Sequence, residues 1–434
     1  MTVAEVRLWG TTIGAVSQDT AASPAAFEYE PDFADRGVEI APLTMPLGRR
    51  VYTFPQLGRE AFQGLPGLLA DALPDRYGNA LIDAWLASQG REPGSFSAVE
   101  RLCYVGTRAM GALEFVPSTG PRAETSNALE VDALVRLASE ALTDRAALVA
   151  SFSGDHEAEA LRDILRVGTS AGGARAKAVI AWNPTTQEVR SGQVDVPAGF
   201  EHWLLKFDGV RGNGDHGLRD PEGFGAIELA YAQMATAAGI AMSECQLLEE
   251  HGRRHFMTRR FDRTATGGKL HMQSLGALAH LDYNQPDVHT YEQAFLAIRT
   301  LGLDAPVAEE QFRRMAFNVV ARNQDDHVKN VAFLMDRRGT WSLSPAYDLT
   351  YAYDPSNRWM RLHQMSVNGK RDAFTLADFV ATGRVAGIKQ GRPKAILREV
   401  TEVVQRWPDF ASACGVPEER VEQIGATHRL RIVA

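Results

Sequence analysis

Eight residues, Asn323-Gln324-Asp325-Asp326-His327-Val328-Lys329-Asn330, crowd carboxylate, amide, imidazole and ammonium groups between two apolar segments. Before them Phe312, Met315, Ala316, Val319 and Val320 recur at three-and-four spacing, which predicts an amphipathic helix over 311–322. After them an apolar strand over 331–335, a turn at 336–339 and a second strand lead to Tyr347-Asp348. A carboxylate followed five residues later by an amide, with another carboxylate at the end of the next hairpin, suits phosphoryl transfer. Asp325 would accept the proton of the attacking hydroxyl, while Asn330 and Asp348 would offer oxygens to a metal ion. Charge spreads over the oxygens of the moving phosphoryl group, so cations must neutralise it while one carboxylate orients the nucleophile. The competing reading is a solvated loop that caps a helix. The number of polar groups bordering two apolar strands speaks against it.

Two weaker signals precede this loop. Residues 167–177, Val-Gly-Thr-Ser-Ala-Gly-Gly-Ala-Arg-Ala-Lys, hold adjacent glycines between strand-like runs. Glycine lets backbone approach a phosphate, and successive N–H groups can cradle its oxygens. A tight hairpin turn explains the same pair, and the pattern is neither of the familiar glycine-rich nucleotide motifs. Lys206 lies inside the apolar run His-Trp-Leu-Leu-Lys-Phe. A lysine there can neutralise nucleotide phosphates, or can point to solvent from an edge strand. Glu228, near the start of the next helix, is a candidate ion-pair partner or an ordinary first-turn acid. The histidines at 251, 255, 271, 280 and 289 are scattered without zinc-helix spacing, and Met360 and Met365 read as packing residues.

The elements that must position these groups fall into a coarse order. A strand is expected over 3–8, a helix over 79–87, a strand pair over 102–116 and a linker over 117–126. Helices are expected over 131–140 and about 157–165, then strands over 178–182 and 203–207, and a helix from about 225 that ends at Gly239. Length supports two or three lobes: 434 residues exceed one ordinary core. The formal net charge of −8 gives no field that attracts nucleic acid, so DNA association would need a basic patch or a partner. Cys103, Cys245 and Cys414 are odd in number and far apart, as expected of free thiols in a reducing compartment. No apolar run approaches the ~20 residues that cross a bilayer, and the first ten residues lack signal-peptide character. A cytoplasmic protein without membrane partners is expected.

In this order the stretches resemble the HipA family of bacterial kinases. The matching pieces are VGTSAGGARAKAVI, HWLLKFDG, FMTRRFDR at 256–263, NQDDHVKNVAFL and LSPAYDLTYAY. LPDRYGN and VGTRAMGALEF resemble the family's N-terminal subdomain, so the likeness covers about residues 5–360. It implies an α+β, protein-kinase-like fold, with a β-rich small lobe over 121–258, a helical large lobe over 259–434 and an extra N-terminal subdomain over 1–120. It implies ATP and Mg2+ as cofactors. By this likeness Asp325 is the base and Asn330 and Asp348 hold magnesium, while Gly172, Gly173, Ala174, Arg175, Ala176 and Lys177 form the phosphate loop. Lys206, His327, Lys329 and Tyr347 then touch the nucleotide, Arg259, Arg260 and Phe261 meet adenine at the hinge, and Ser170 is autophosphorylated, with Thr169 as the rival acceptor. Arg259 stands where some relatives carry an acid, and Asp326 where some carry glycine. The family's usual role is the toxin of a toxin–antitoxin pair. Its partner is a small helix-turn-helix antitoxin that makes the contact with DNA, and aminoacyl-tRNA synthetases are among the protein targets. A catalytically weak nucleotide-binding co-repressor and a small-molecule kinase are the alternatives; the intact set of Lys206, Asp325, Asn330 and Asp348 argues against the first.

Overall fold

The computed structural model describes residues 1–92, 94–120, 128–143, 163–165, 167–168, 175–193, 196–210, 223–264 and 266–432. Thr169, Ser170, Gly172, Gly173 and Ala174, and most of the helix expected over 157–165, lie outside them. The class is α+β, as the sequence implied. The chain divides into two compact units, Met1–Glu222 with Leu248–Gln273 and Met335–Gly339, and Gly223–Leu247 with Ser274–Leu334 and Thr340–Ala434.

The first unit is built on two five-stranded sheets. In one, the order is Val51–Thr53, Ala26–Tyr29, Thr11–Gln18, Thr2–Leu8, Leu113–Val116, with each neighbouring pair antiparallel. Alternation along Thr2–Leu8 buries Ala4, Val6 and Leu8 on one face. The other sheet runs Val189–Ser191, Lys177–Trp182, Glu201–Lys206, Arg253–Arg259, Cys245–Glu250. Every residue of Lys177–Trp182 is buried, which is why that segment reads as an unbroken apolar run rather than an alternation. The helix Val131–Thr143 packs Leu134, Leu137 and Ala138 into the same core as Ile180, Trp203 and Leu205.

The strand pair expected over 102–116 is half wrong. Ala98–Val105 is a helix, and only Leu113–Val116 is a strand. A capping box decides it. The Ser97 hydroxyl accepts from the Glu100 amide at 3.2 Å, and the Glu100 carboxylate accepts from the Ser97 amide at 2.7 Å. Gly106, at φ +59°, ends the helix in a conformation that other residues resist.

The second unit is helical. Phe224–Ala237 is apolar on nearly all sides and is buried at its centre by Tyr231, whose ring packs 5.1 Å from Trp407 and 6.1 Å from Phe317. The helix predicted over 311–322 is longer at its start: Ala305–Val320, entered through Asp304 with Pro306 in its first turn, where a missing N–H costs nothing. Phe312, Met315, Ala316, Val319 and Val320 are its buried stripe. The strands Ala332–Met335 and Trp341–Leu343 follow the polar loop. Beyond residue 370 come the helices Leu376–Val385, Arg392–Val404, Trp407–Ala413 and Glu418–Gly425.

Candidate functional site

Helix Ala305–Val320 ends in a turn made by Arg322, whose φ of +60° is left-handed. The polar loop leaves from there. Asp325 is part-exposed, with 23% of its side chain accessible, and the His327 ring nitrogen lies 4.0 Å from its Oδ1. Asn330 sits at the end of the short 3-10 turn Val328–Asn330 and donates its side-chain N–H to the Asp325 carbonyl at 2.9 Å. That bond closes the five-residue loop on itself and aims the Asn330 amide oxygen away from it. Tyr347 donates its hydroxyl to the Lys329 carbonyl, which ties the segment carrying Asp348 to the residue beside Asn330. Asp348 has a φ of +57°, a left-handed conformation that costs most non-glycine residues of order 1 kcal/mol. The Lys329 ammonium lies 4.5 Å from the centre of the Tyr283 ring.

Asp326 takes no part in that exposed face. Fully buried, it accepts from the Tyr291 hydroxyl at 2.6 Å, from His363 Nδ1 at 2.8 Å and from the Gln364 amide at 2.8 Å. Burial works to raise its carboxyl, but the His363 ring and these hydrogen bonds hold it below the usual carboxylate range. The buried Asp326 therefore anchors the loop. Tyr291, His363 and Gln364 gave no sequence signal, because each lies more than thirty residues from the loop.

In the first unit, Lys206 and Lys177 occupy directly opposed positions at one end of adjacent antiparallel strands, with Phe256 opposite Lys206 on the other side. Opposed side chains on neighbouring strands are close enough to interact. Lys206 Nζ lies 5.6 Å from the Phe256 ring centre. Lys177 is buried, 3.5 Å from Asp75 Oδ2, while Asp75 Oδ1 caps the helix Arg76–Ser88 at the Gly78 amide, 2.6 Å away. Arg259 pairs with Glu201 at 3.1 Å, and Phe261 is half-buried. Arg260 is buried and grips Asp262 through Nε at 2.9 Å and Nη2 at 2.6 Å, and its backbone N–H donates to the His202 carbonyl at 2.9 Å. Glu228 is buried on Phe224–Ala237.

Among the described residues, no three His, Cys, Asp or Glu groups gather as a metal cluster. The donor set of Asn330 and Asp348 is nonetheless chemically apt for magnesium. An amide oxygen and a carboxylate are hard ligands, and magnesium commonly takes one or two protein oxygens and completes its shell with phosphate and water.

The sequence profile of the HipA-like C-terminal domain matches residues 169–407, and that of the HipA N-terminal domain matches residues 4–116. The chain belongs to the HipA family. In fold it is similar to the HipA toxin of Shewanella oneidensis, solved as a complex of HipA, HipB and operator DNA. The two align with a TM-score of 0.68 at 16% identity, over 99% of this chain and 96% of that one. A Sinorhizobium fredii protein described as "Putative kinase Y4dM" is 31% identical over 139 residues. That alignment covers 28% of this HipA-family chain and 32% of the relative, so the chain spans about a third of the curated relative that it matches. Among the described residues, no helix is long and apolar enough to cross a membrane.

Proposed function

We propose that this HipA-family chain is an ATP- and Mg2+-dependent protein serine/threonine kinase that acts as a growth-arresting toxin. The observation that carries the reading is the loop from Asp325 to Asn330, closed by the 2.9 Å bond between them, with Asp348 tethered beside it through Tyr347. In this reading the acceptor hydroxyl oxygen forms a bond to the γ-phosphorus, its proton passes to Asp325, and the bond to the β-phosphate oxygen breaks to release ADP. Asn330 and Asp348 would hold magnesium, which would supply charge neutralisation on the phosphate oxygens. Lys206, with Lys177 opposite it on the next strand, suits the polyphosphate as a cation at one sheet end. An antitoxin with a helix-turn-helix fold would connect the chain to DNA, as HipB accompanies HipA and operator DNA in the Shewanella complex. An aminoacyl-tRNA synthetase is the class of substrate that the resemblance favours.

Asp348→Ala is expected to weaken Mg2+-dependent ATP binding by about 10- to 100-fold, more than Asp325→Asn does, because losing a ligand costs at least as much as losing an outer-shell contact. Calorimetric titration of ATP with and without Mg2+ tests this, and an unchanged affinity for Asp348→Ala would remove it from the metal site. Ser170 is expected to carry phosphate when the wild-type chain is expressed alone and none in Asp325→Asn. A phosphoserine there adds about −1.5 to −2 charges beside the phosphate loop and would compete with ATP. Phosphopeptide mass spectrometry reads it. A wild-type chain that labels another protein while Ser170 stays unmodified would exclude the autophosphorylation.

A further inference from the structure

Asp325 is bracketed by two buried neighbours, and one arginine reaches both. Arg429, in the segment after the helix Glu418–Gly425, donates from Nη2 to the Gln324 side-chain oxygen at 3.2 Å. Its Nη1 lies 2.8 Å from Nε2 of His363, whose Nδ1 lies 2.8 Å from Asp326. A guanidinium has only donors, so His363 Nε2 must accept, and the ring's proton must sit on Nδ1 and point at Asp326. The guanidinium thus selects the tautomer that Asp326 needs, and its positive charge faces that buried carboxylate across the ring.

Arg429 is itself well held. Its backbone N–H donates to the Val320 carbonyl at 2.9 Å and its Nη1 to the Val319 carbonyl at 3.1 Å, both at the end of the helix that delivers the loop. Asp372 accepts from Nη2. The same segment also supports the left-handed Arg322 turn: Arg322 Nε donates to the Thr427 carbonyl at 2.8 Å. Both oxygens of Asp326 are engaged and Gln324 is fixed, so the backbone on each side of Asp325 has little freedom to rotate.

We propose that Arg429 is a positioning residue for the catalytic loop: acting through His363 on Asp326 and directly on Gln324, it holds the Asp325 carboxylate in the orientation that receives the hydroxyl proton. The proposal rests on the kinase reading above. A misplaced base costs turnover more than nucleotide binding, because proton transfer demands alignment and the phosphate contacts lie elsewhere.

The experiment uses the full chain as wild type, Arg429→Met and Arg429→Lys. Turnover and KM for ATP are measured with and without added guanidinium ion below denaturing concentrations, and nitrogen-15 spectra of histidine-labelled protein report the His363 tautomer. Arg429→Met is expected to lower kcat by roughly 10- to 100-fold with KM for ATP near wild type. Guanidinium ion, or the lysine in Arg429→Lys, is expected to restore part of that loss, which a merely structural role would not allow. Wild-type kcat in Arg429→Met, or a loss that neither lysine nor guanidinium relieves, overturns the proposal. A wild-type spectrum with the proton on Nε2 of His363 overturns it regardless of activity and of whether Arg429→Met folds. If the wild-type chain transfers no phosphate at all, the kinase reading fails, while the spectrum still decides whether the tether exists.

Discussion

Asp325→Asn is expected to slow phosphoryl transfer by roughly a hundred- to ten-thousand-fold while ATP affinity stays close to that of the wild type. The substitution keeps the shape of the side chain and removes its capacity to take a proton. It leaves the loop intact for two structural reasons. Asn330 binds the main-chain carbonyl of residue 325 at 2.9 Å, which any side chain there preserves. The buried anchor is the neighbouring Asp326, held by Tyr291, His363 and Gln364. Transfer from labelled ATP to a protein acceptor and calorimetric ATP binding should therefore separate. Transfer at the wild-type rate would show that Asp325 is not the base. A parallel collapse of ATP affinity would instead place its carboxylate among the groups that hold the nucleotide or its metal.

The loop and the elements around it were legible because their signals are local. Five-residue spacing is visible in a string, and so is the three-and-four recurrence that buries Phe312, Met315 and Val319. Lys177–Trp182 was visible because a strand buried on both faces needs no alternation. What stayed hidden depends on distance along the chain. Nothing in the sequence marks Tyr291 and His363 as partners of Asp326, or Arg429 as the partner of His363, since the fold alone brings them together. The same holds for the Asp75 carboxylate that meets Lys177. Two misses were local and avoidable. Ser97 and Glu100 spell a capping box, whereas the glycines flanking residues 107–110 suggest strands. Arg260 and Asp262 are two residues apart, and an Arg and an Asp so close can pair.

That pair carries the largest expected loss of stability. Asp262 is fully buried and accepts from Arg260 Nε at 2.9 Å, Arg260 Nη2 at 2.6 Å, Arg263 Nη1 at 2.7 Å and the Gly111 amide at 2.7 Å. Asp262→Ala leaves two guanidinium groups, 1% and 8% exposed, without their counter-charge. Breaking a buried pair from one side costs about 3–5 kcal/mol, to be read by urea denaturation at neutral pH. The cost lies in stranded charge more than in lost shape. Replacing Arg260, Asp262 and Arg263 together by apolar residues of similar volume should therefore recover much of it. The effect should also depend on pH. Burial pushes the Asp262 carboxyl up, but Arg260, Arg263 and the Gly111 amide outweigh it and hold the group far below the usual carboxylate range. A depressed folded value means that its contribution is complete above the unfolded carboxyl pKa of about 3.9 and is lost as pH falls below that. The gap in stability between wild type and Asp262→Ala should thus be constant near neutrality and narrow in acid. A gap that persists unchanged at low pH would assign the loss to packing, and a neutral-pH gap below about 1 kcal/mol, the scale of an exposed pair, would mean that water reaches the cluster.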